Sequence, residues 1–261
     1  MASDLPKIEG LINVTTAYVI SVTDVGGTDA AITIPVDEYY LTSTRETVLL
    51  TTLQTALNAS ATLTGTFTVT LDDDTYAATG KVTIASTHAF TVSWTSTTLR
   101  DILGWTGDIA STTSATGQNH ATHLWLPTCN RTGSVPDPVA ASSYFGKPRT
   151  DVTTTMAPSG QYTSQYYNTL HQAVLDFQTL NGAKTWQRLE TYTNESLEKF
   201  YRSVIGQGLR FAYFPDRSDN AYSWQLWTPT GAMLNANSID PSYVGSGSIW
   251  SWGIEVMDYV A

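Results

Sequence analysis

Charge is scarce in this chain. Asp, Glu, Lys and Arg make up 14% of its 261 residues, against about 25% in ordinary globular chains. The 13 basic residues are scattered and form no run, which leaves a net charge of −10. Duplex nucleic acid is bound by clustered cations that neutralise phosphates, so sequence-specific nucleic-acid recognition is not expected. A duct that nucleic acid passes without sticking stays compatible with the acidic balance. Cysteine is nearly absent as well. The single Cys129 excludes an internal disulfide framework and reads as a small buried hydrophobe. No apolar run approaches the roughly 18 residues that span a bilayer, so no membrane insertion is expected. Met1-Ala2-Ser3-Asp4 is polar and no signal-peptide core follows, which points to synthesis in a cytoplasm.

Catalytic signatures are missing too. There is no Gly-x-Ser-x-Gly elbow and no glycine-rich phosphate loop ahead of a Lys and a Ser or Thr. Gly245-Ser246-Gly247-Ser248 reads as a flexible strand entry. No catalytic residue and no cofactor are expected. Thr, Ser, Asn and Gly take the place of the missing charge. Thr suits pleated strands, and low charge suits a subunit packed among neighbours. Eight Trp and fourteen Tyr can bury a sizeable core.

The patterning predicts an α+β, β-rich chain. Two small domains of antiparallel sheet, each packed with one or two helices, are joined by a long irregular arm. The N-terminal domain covers 1–110, the arm 111–164 and the C-terminal domain 165–261. Leu11–Val22 and Ala30–Ile34 predict a hairpin around Asp24-Val25-Gly26-Gly27-Thr28. Ser43-x-x-Glu46 has the form of a capping box. With Leu49, Leu50, Leu53, Ala56 and Leu57 it predicts a helix over 43–58, and Asn58 is its expected C-cap. Phe67, Val69 and Leu71, then Val82 and Ile84, then Phe90, Val92 and Trp94 alternate as half-buried strands. Thr98-x-x-Asp101 predicts a short capped helix ending at Gly104-Trp105. Thr106–Ser164 is rich in Gly and Pro and lacks periodicity. A stretch of that length is usually functional or an arm to a neighbour. Beyond it, Tyr167, Leu170, Val174 and Phe177 share a helical face, with Asn181-Gly182 as the stop. Thr185–Thr191 predicts a strand, and Thr193 opens a second helix through Ile205. Strands follow over 209–214, 222–227 and 248–256.

Few residues offer a site. His120-Ala121-Thr122-His123, with Cys129 beyond, is the spacing nearest to a metal centre. Zinc needs four ligands, usually with a second close pair, and that pair is missing, so the segment reads as a surface or interface loop. Asp72-Asp73-Asp74 lacks the alternating oxygens and distant Glu of a calcium loop and reads as a solvated turn. Asp216-Arg217-Ser218-Asp219-Asn220 follows Pro215 as a hairpin tip. Asp216, Asp219, Trp224 and Trp227 are the candidates for a ligand or interface. Trp224 and Trp227 cannot share a strand face. Trp250 and Trp252, which alternate with Ser251 and Gly253, read as strand core.

Two segments bear a resemblance. Tyr39–Trp105 resembles a module of structural proteins in tailed bacteriophages and other large viruses. The matching residues are Leu53 to Asn58, Phe67 to Thr70, Gly80 to Ile84 and Leu99 to Trp105. Phe200–Tyr259 resembles minor tail or baseplate proteins of long-tailed phages, through Gly208 to Phe211, Tyr213 to Asp216 and Trp250 to Ile254. The resemblance covers about half of the chain and implies a non-catalytic virion protein, made in the host cytoplasm. It would form a ring in the tail tip, baseplate or tail. Its partners would be copies of itself and other virion proteins, with the irregular arm bridging neighbours. The alternatives are a glycan- or receptor-binding module or head decoration protein and, third, a cell-wall hydrolase.

Overall fold

The computed structural model describes residues 7–74, 78–126, 147–156, 162–181, 209–214, 217, 224–227, 242–243 and 249–258. The described residues are β-rich, with few helices. In chain order the first elements are β1 (Lys7–Gly10), β2 (Ile12–Val14), β3 (Tyr18–Asp24), β4 (Gly27–Ile34), β5 (Asp37–Tyr40) and β6 (Thr47–Val48). Then come α1 (Leu49–Asn58), β7 (Phe67–Leu71), β8 (Val82–Ser93), α2 (Thr97–Ile102), β9 (Ile109–Thr116) and β10 (Leu124–Trp125). The remainder are β11 (Lys147–Met156), β12 (Tyr162–Asn181), β13 (Phe211–Phe214), β14 (Trp224–Trp227), β15 (Ser242–Tyr243) and β16 (Ile249–Asp258).

The expected hairpin is β3–β4, with Ile20 opposite Ile32 and Asp24 opposite Gly27. Its turn is held by one carboxylate. Asp24 Oδ1 accepts the Gly26 N–H at 2.7 Å, and Oδ2 accepts those of Thr64 at 2.8 Å and Gly65 at 2.7 Å. Burial pushes the Asp24 pKa up, but the backbone donors outweigh it and hold the group below its ordinary value. β8 is the hub of this five-stranded sheet. β9 pairs along most of it, while β7 and β3 take its two ends in turn. What the sequence divides into two strands is thus one strand of 12 residues. A second, small sheet runs β2-β5-β6.

The α1 face is as expected: Leu49, Leu50, Leu53 and Leu57 are buried. Its start is not. The helix begins at Leu49 with Val48 as N-cap and no side-chain capping bond, so the capping box over 43–58 does not form. Tertiary partners take its residues instead. Thr47 and Val48 pair in parallel with Tyr39 and Tyr40, and Glu46 forms an ion pair with Arg210 at 3.2 Å. Asn58 does not cap but clasps β7, giving Nδ2 to the Phe67 carbonyl and taking the Phe67 N–H. α2 is capped by Ser96, which accepts from Leu99 N, rather than by Thr98. It closes at Gly104, whose φ of +86° suits glycine. Gly104 N and Trp105 N donate back to Asp101 O and Arg100 O. The core between these elements includes Phe67 edge-on to Phe90 at 5.5 Å and Trp94 against Trp105 at 5.4 Å.

The third sheet runs β10-β1-β13-β14-β16-β12-β11, with β15 on β16. Its pairs are antiparallel. It draws β1 and β10 into the same sheet as the strands after residue 147. Two expectations are corrected here. The helix expected at Tyr167, Leu170, Val174 and Phe177 is part of β12, a strand of 20 residues. Its spacing fits a helix, but Tyr162, Thr163, Tyr166, Tyr167, Thr169, Val174 and Phe177 favour extended chain, and β11 and β16 give it hydrogen-bonding neighbours. The Thr106–Ser164 stretch, expected to be irregular, contains β9, β10, β11 and the start of β12. Thr-rich strands without strict alternation leave no periodic signal. The predicted strand 185–191 and helix 193–205 lie outside the described residues.

Candidate functional site

β1 places charge inside a strand. Lys7, Ile8, Glu9 and Gly10 are all buried, and strand alternation puts Lys7 and Glu9 on one face. The Lys7 ammonium lies 3.1 Å from Glu9 Oε1 and 2.5 Å from Asp73 Oδ2, and donates to Thr42 Oγ1 at 2.8 Å. It also sits 4.1 Å from the centroid of the Phe214 ring, a favourable cation–π position. Glu9 is fully engaged. Its Oε2 accepts the Thr42 and Ser43 N–H groups at 2.9 and 3.1 Å, and Oε1 accepts the Thr42 hydroxyl. Asp73 is therefore buried, which corrects the solvated-turn reading. Burial raises its pKa, the charge and hydrogen bond of Lys7 oppose the rise, and Glu9 and Asp74 add to it.

A second fastener lies nearby. Arg210, just before β13, bonds Glu38 of β5 and Glu46, and its carbonyl accepts the Leu11 N–H. The first cluster joins β1 and Phe214 of β13 to the Thr42–Ser43 segment and to Asp73 after β7; the second joins Arg210 to β5 and to Glu46. Lys7 and Glu9 are wholly buried and Asp73 is 3% exposed, so the first cluster is closed to a substrate. Its chemistry is cohesion. Sequence reasoning missed it because its members lie far apart in the chain. The one local signal was a Lys and a Glu at alternate positions ahead of an apolar strand.

Only some of the expected site residues fall within the described part of the chain. His120 is buried, not on a surface loop. Its ring lies against Gly80, and Nδ1 sits 3.3 Å from the Ala121 carbonyl. Burial pushes its pKa down to about 4, opposed in part by that carbonyl. His123 has a φ of 62°; its carbonyl accepts the Gly10 N–H at 2.6 Å, and its ring meets the Thr122 hydroxyl at 2.9 Å. Cys129, Asp216 and Asp219 lie outside the described residues. Among the described residues, no group of three or more His, Cys, Asp or Glu could hold a metal ion. Trp224 and Trp227 are the ends of β14, paired with Tyr213 and Met257.

One further feature concerns the third sheet. β12 pairs with β16 from Gln172 onward and with β11 from Tyr162 to Gln172. Among the described residues, the part of β12 before Gln172 therefore pairs with β11 alone, as a two-stranded ribbon beyond the reach of β16. Among the described residues, β12 is the only partner of β11. No protein-family model, curated protein or solved structure matches the chain.

Proposed function

We propose that this protein is a non-catalytic structural component of a tailed-phage virion, one that assembles with copies of itself into a ring of the tail tip, baseplate or tail. The observation that carries the proposal is the β11–β12 ribbon. A two-stranded ribbon is marginal in water by itself, and a neighbouring subunit supplies a further strand. The buried ion cluster around Lys7 and the partly exposed one around Arg210 support the same reading, since they lend rigidity rather than chemistry. A low share of charged residues suits repeated subunit contacts, and the resemblance of Tyr39–Trp105 and Phe200–Tyr259 to phage structural proteins supplies the context. The finer division into two domains belongs to the same reading, with Arg210 and its carboxylates Glu38 and Glu46 bridging them.

Purified full-length protein tests it. Ring particles of uniform diameter in negative-stain micrographs are the expected result, together with a matching discrete mass in solution. Detection of the protein in purified phage particles would place it in the virion. A protein that stays monomeric at every concentration, or that is missing from such particles, refutes the proposal.

A further inference from the structure

We infer that the outer edge of β11, over Val152–Met156, pairs antiparallel with the same segment of a second copy of this chain. The inference rests on the self-assembly proposed above and names the surface that carries it.

Three observations converge on this edge. First, it is an open ladder. β11 runs for 10 residues, about 33 Å of extended chain, with β12 on one side and no other partner among the described residues. A free strand edge is a template for another chain. Second, almost all of β11 lies beyond the sheet body. The pairs from Pro148↔His171 to Met156↔Tyr162 precede Gln172, where pairing with β16 starts. A third strand added there turns a marginal ribbon into a sheet.

Third, the edge is protected at one end only. Charge, proline and bulges are the usual means of preventing edge-to-edge pairing. Lys147, Pro148, Arg149 and Asp151 all lie in the base half, and the register irregularity falls between Thr150 and Val152. The other half, Val152-Thr153-Thr154-Thr155-Met156, contains no charge and no proline. Four of its five residues are β-branched, the composition that strands favour. A guarded base beside an unguarded tip confines pairing to the tip. The tip is also self-matching. Antiparallel pairing about Thr154 sets Thr153 opposite Thr155 of the second copy and Val152 opposite its Met156, as a two-fold contact requires. Main-chain hydrogen bonds would provide the affinity, as in other strand additions.

The experiment uses the full chain in sedimentation velocity over a range of concentrations. Thr154→Lys places like charges opposite each other, which opposes pairing. It should weaken self-association by at least about tenfold, equivalent to about 1.4 kcal/mol. Thr154→Cys in a Cys129→Ser background should form a dimer on mild oxidation, because directly opposed Cα atoms lie within disulfide reach. Thr150→Cys in the same background should not. Circular dichroism reports whether the Lys variant folds; if it does not, the cysteine pair decides. Assembly that survives Thr154→Lys, with no cross-link at position 154, overturns this edge and leaves self-assembly standing. A wild-type protein that never associates overturns both.

Discussion

Replacing Lys7 by Met should destabilise the protein by about 3–5 kcal/mol, the usual cost of leaving a buried charge without its partner. The geometry says which charge suffers. Glu9 keeps the Thr42 and Ser43 N–H groups and the Thr42 hydroxyl. Asp73 loses the ammonium 2.5 Å away, and with it both influences that hold its pKa down. Its pKa, already raised by burial, rises further in the variant. A carboxyl group whose folded pKa exceeds its unfolded value favours the folded state below the unfolded value. It loses that advantage as pH rises through the folded value. The cost of Lys7→Met should therefore be larger at pH 8 than at pH 5. Adding Asp73→Asn should recover much of it, because a neutral amide needs no counter-ion. Urea unfolding of the wild type, both single variants and the double variant at the two pH values gives the coupling directly. A cost below about 1 kcal/mol, or one that does not change with pH, would refute the view that Lys7 neutralises a buried carboxylate.

Three more outcomes follow from other contacts. Asp24→Ala strands the Gly26, Thr64 and Gly65 N–H groups and should cost about 2–4 kcal/mol in urea unfolding; Asp24→Asn, which keeps one acceptor, should cost less. The stability that Asp24 contributes is present above its unfolded pKa of 3.8 and should fade as pH falls through its lower folded value. Gly80→Ala combines a φ of +64° with a methyl group that would run into the His120 ring, so a loss above about 2 kcal/mol is expected, partly relieved by His120→Ala in the double variant. His120 is buried neutral with a pKa of about 4, so its contribution should be lost as pH falls from 6.5 towards 4, and His120→Gln should flatten that part of the stability–pH profile.

What the sequence reveals and what it hides follow from the range of the interactions. The β3–β4 hairpin was legible because its turn and its alternating apolar residues are local. The α1 face was legible because Leu49, Leu50, Leu53 and Leu57 repeat at helical spacing. The start of α1 was not, because Glu46 answers to Arg210 and not to the helix. Asp73 looked like part of a solvated turn because its partner, Lys7, lies 66 positions away. His120 looked exposed because the glycine that admits its ring, Gly80, is remote in sequence. In β12 the spacing of Tyr167, Leu170, Val174 and Phe177 competes with strand propensity. Pairing with β11 along its first half and with β16 along its second decides the contest, and a one-dimensional pattern cannot show it.

The place of β1 between β10 and β13 has a consequence for synthesis. The strand leaves the ribosome ahead of its neighbour Phe211–Phe214, which follows by about 200 residues, or about 10–40 s at ordinary translation rates. Closing so long a loop makes this sheet the slow part of the fold. Meanwhile Lys7 and Glu9, still hydrated, keep one face of the nascent strand polar and discourage it from joining a wrong neighbour. The charges that later bind the finished molecule together would first serve to keep it apart.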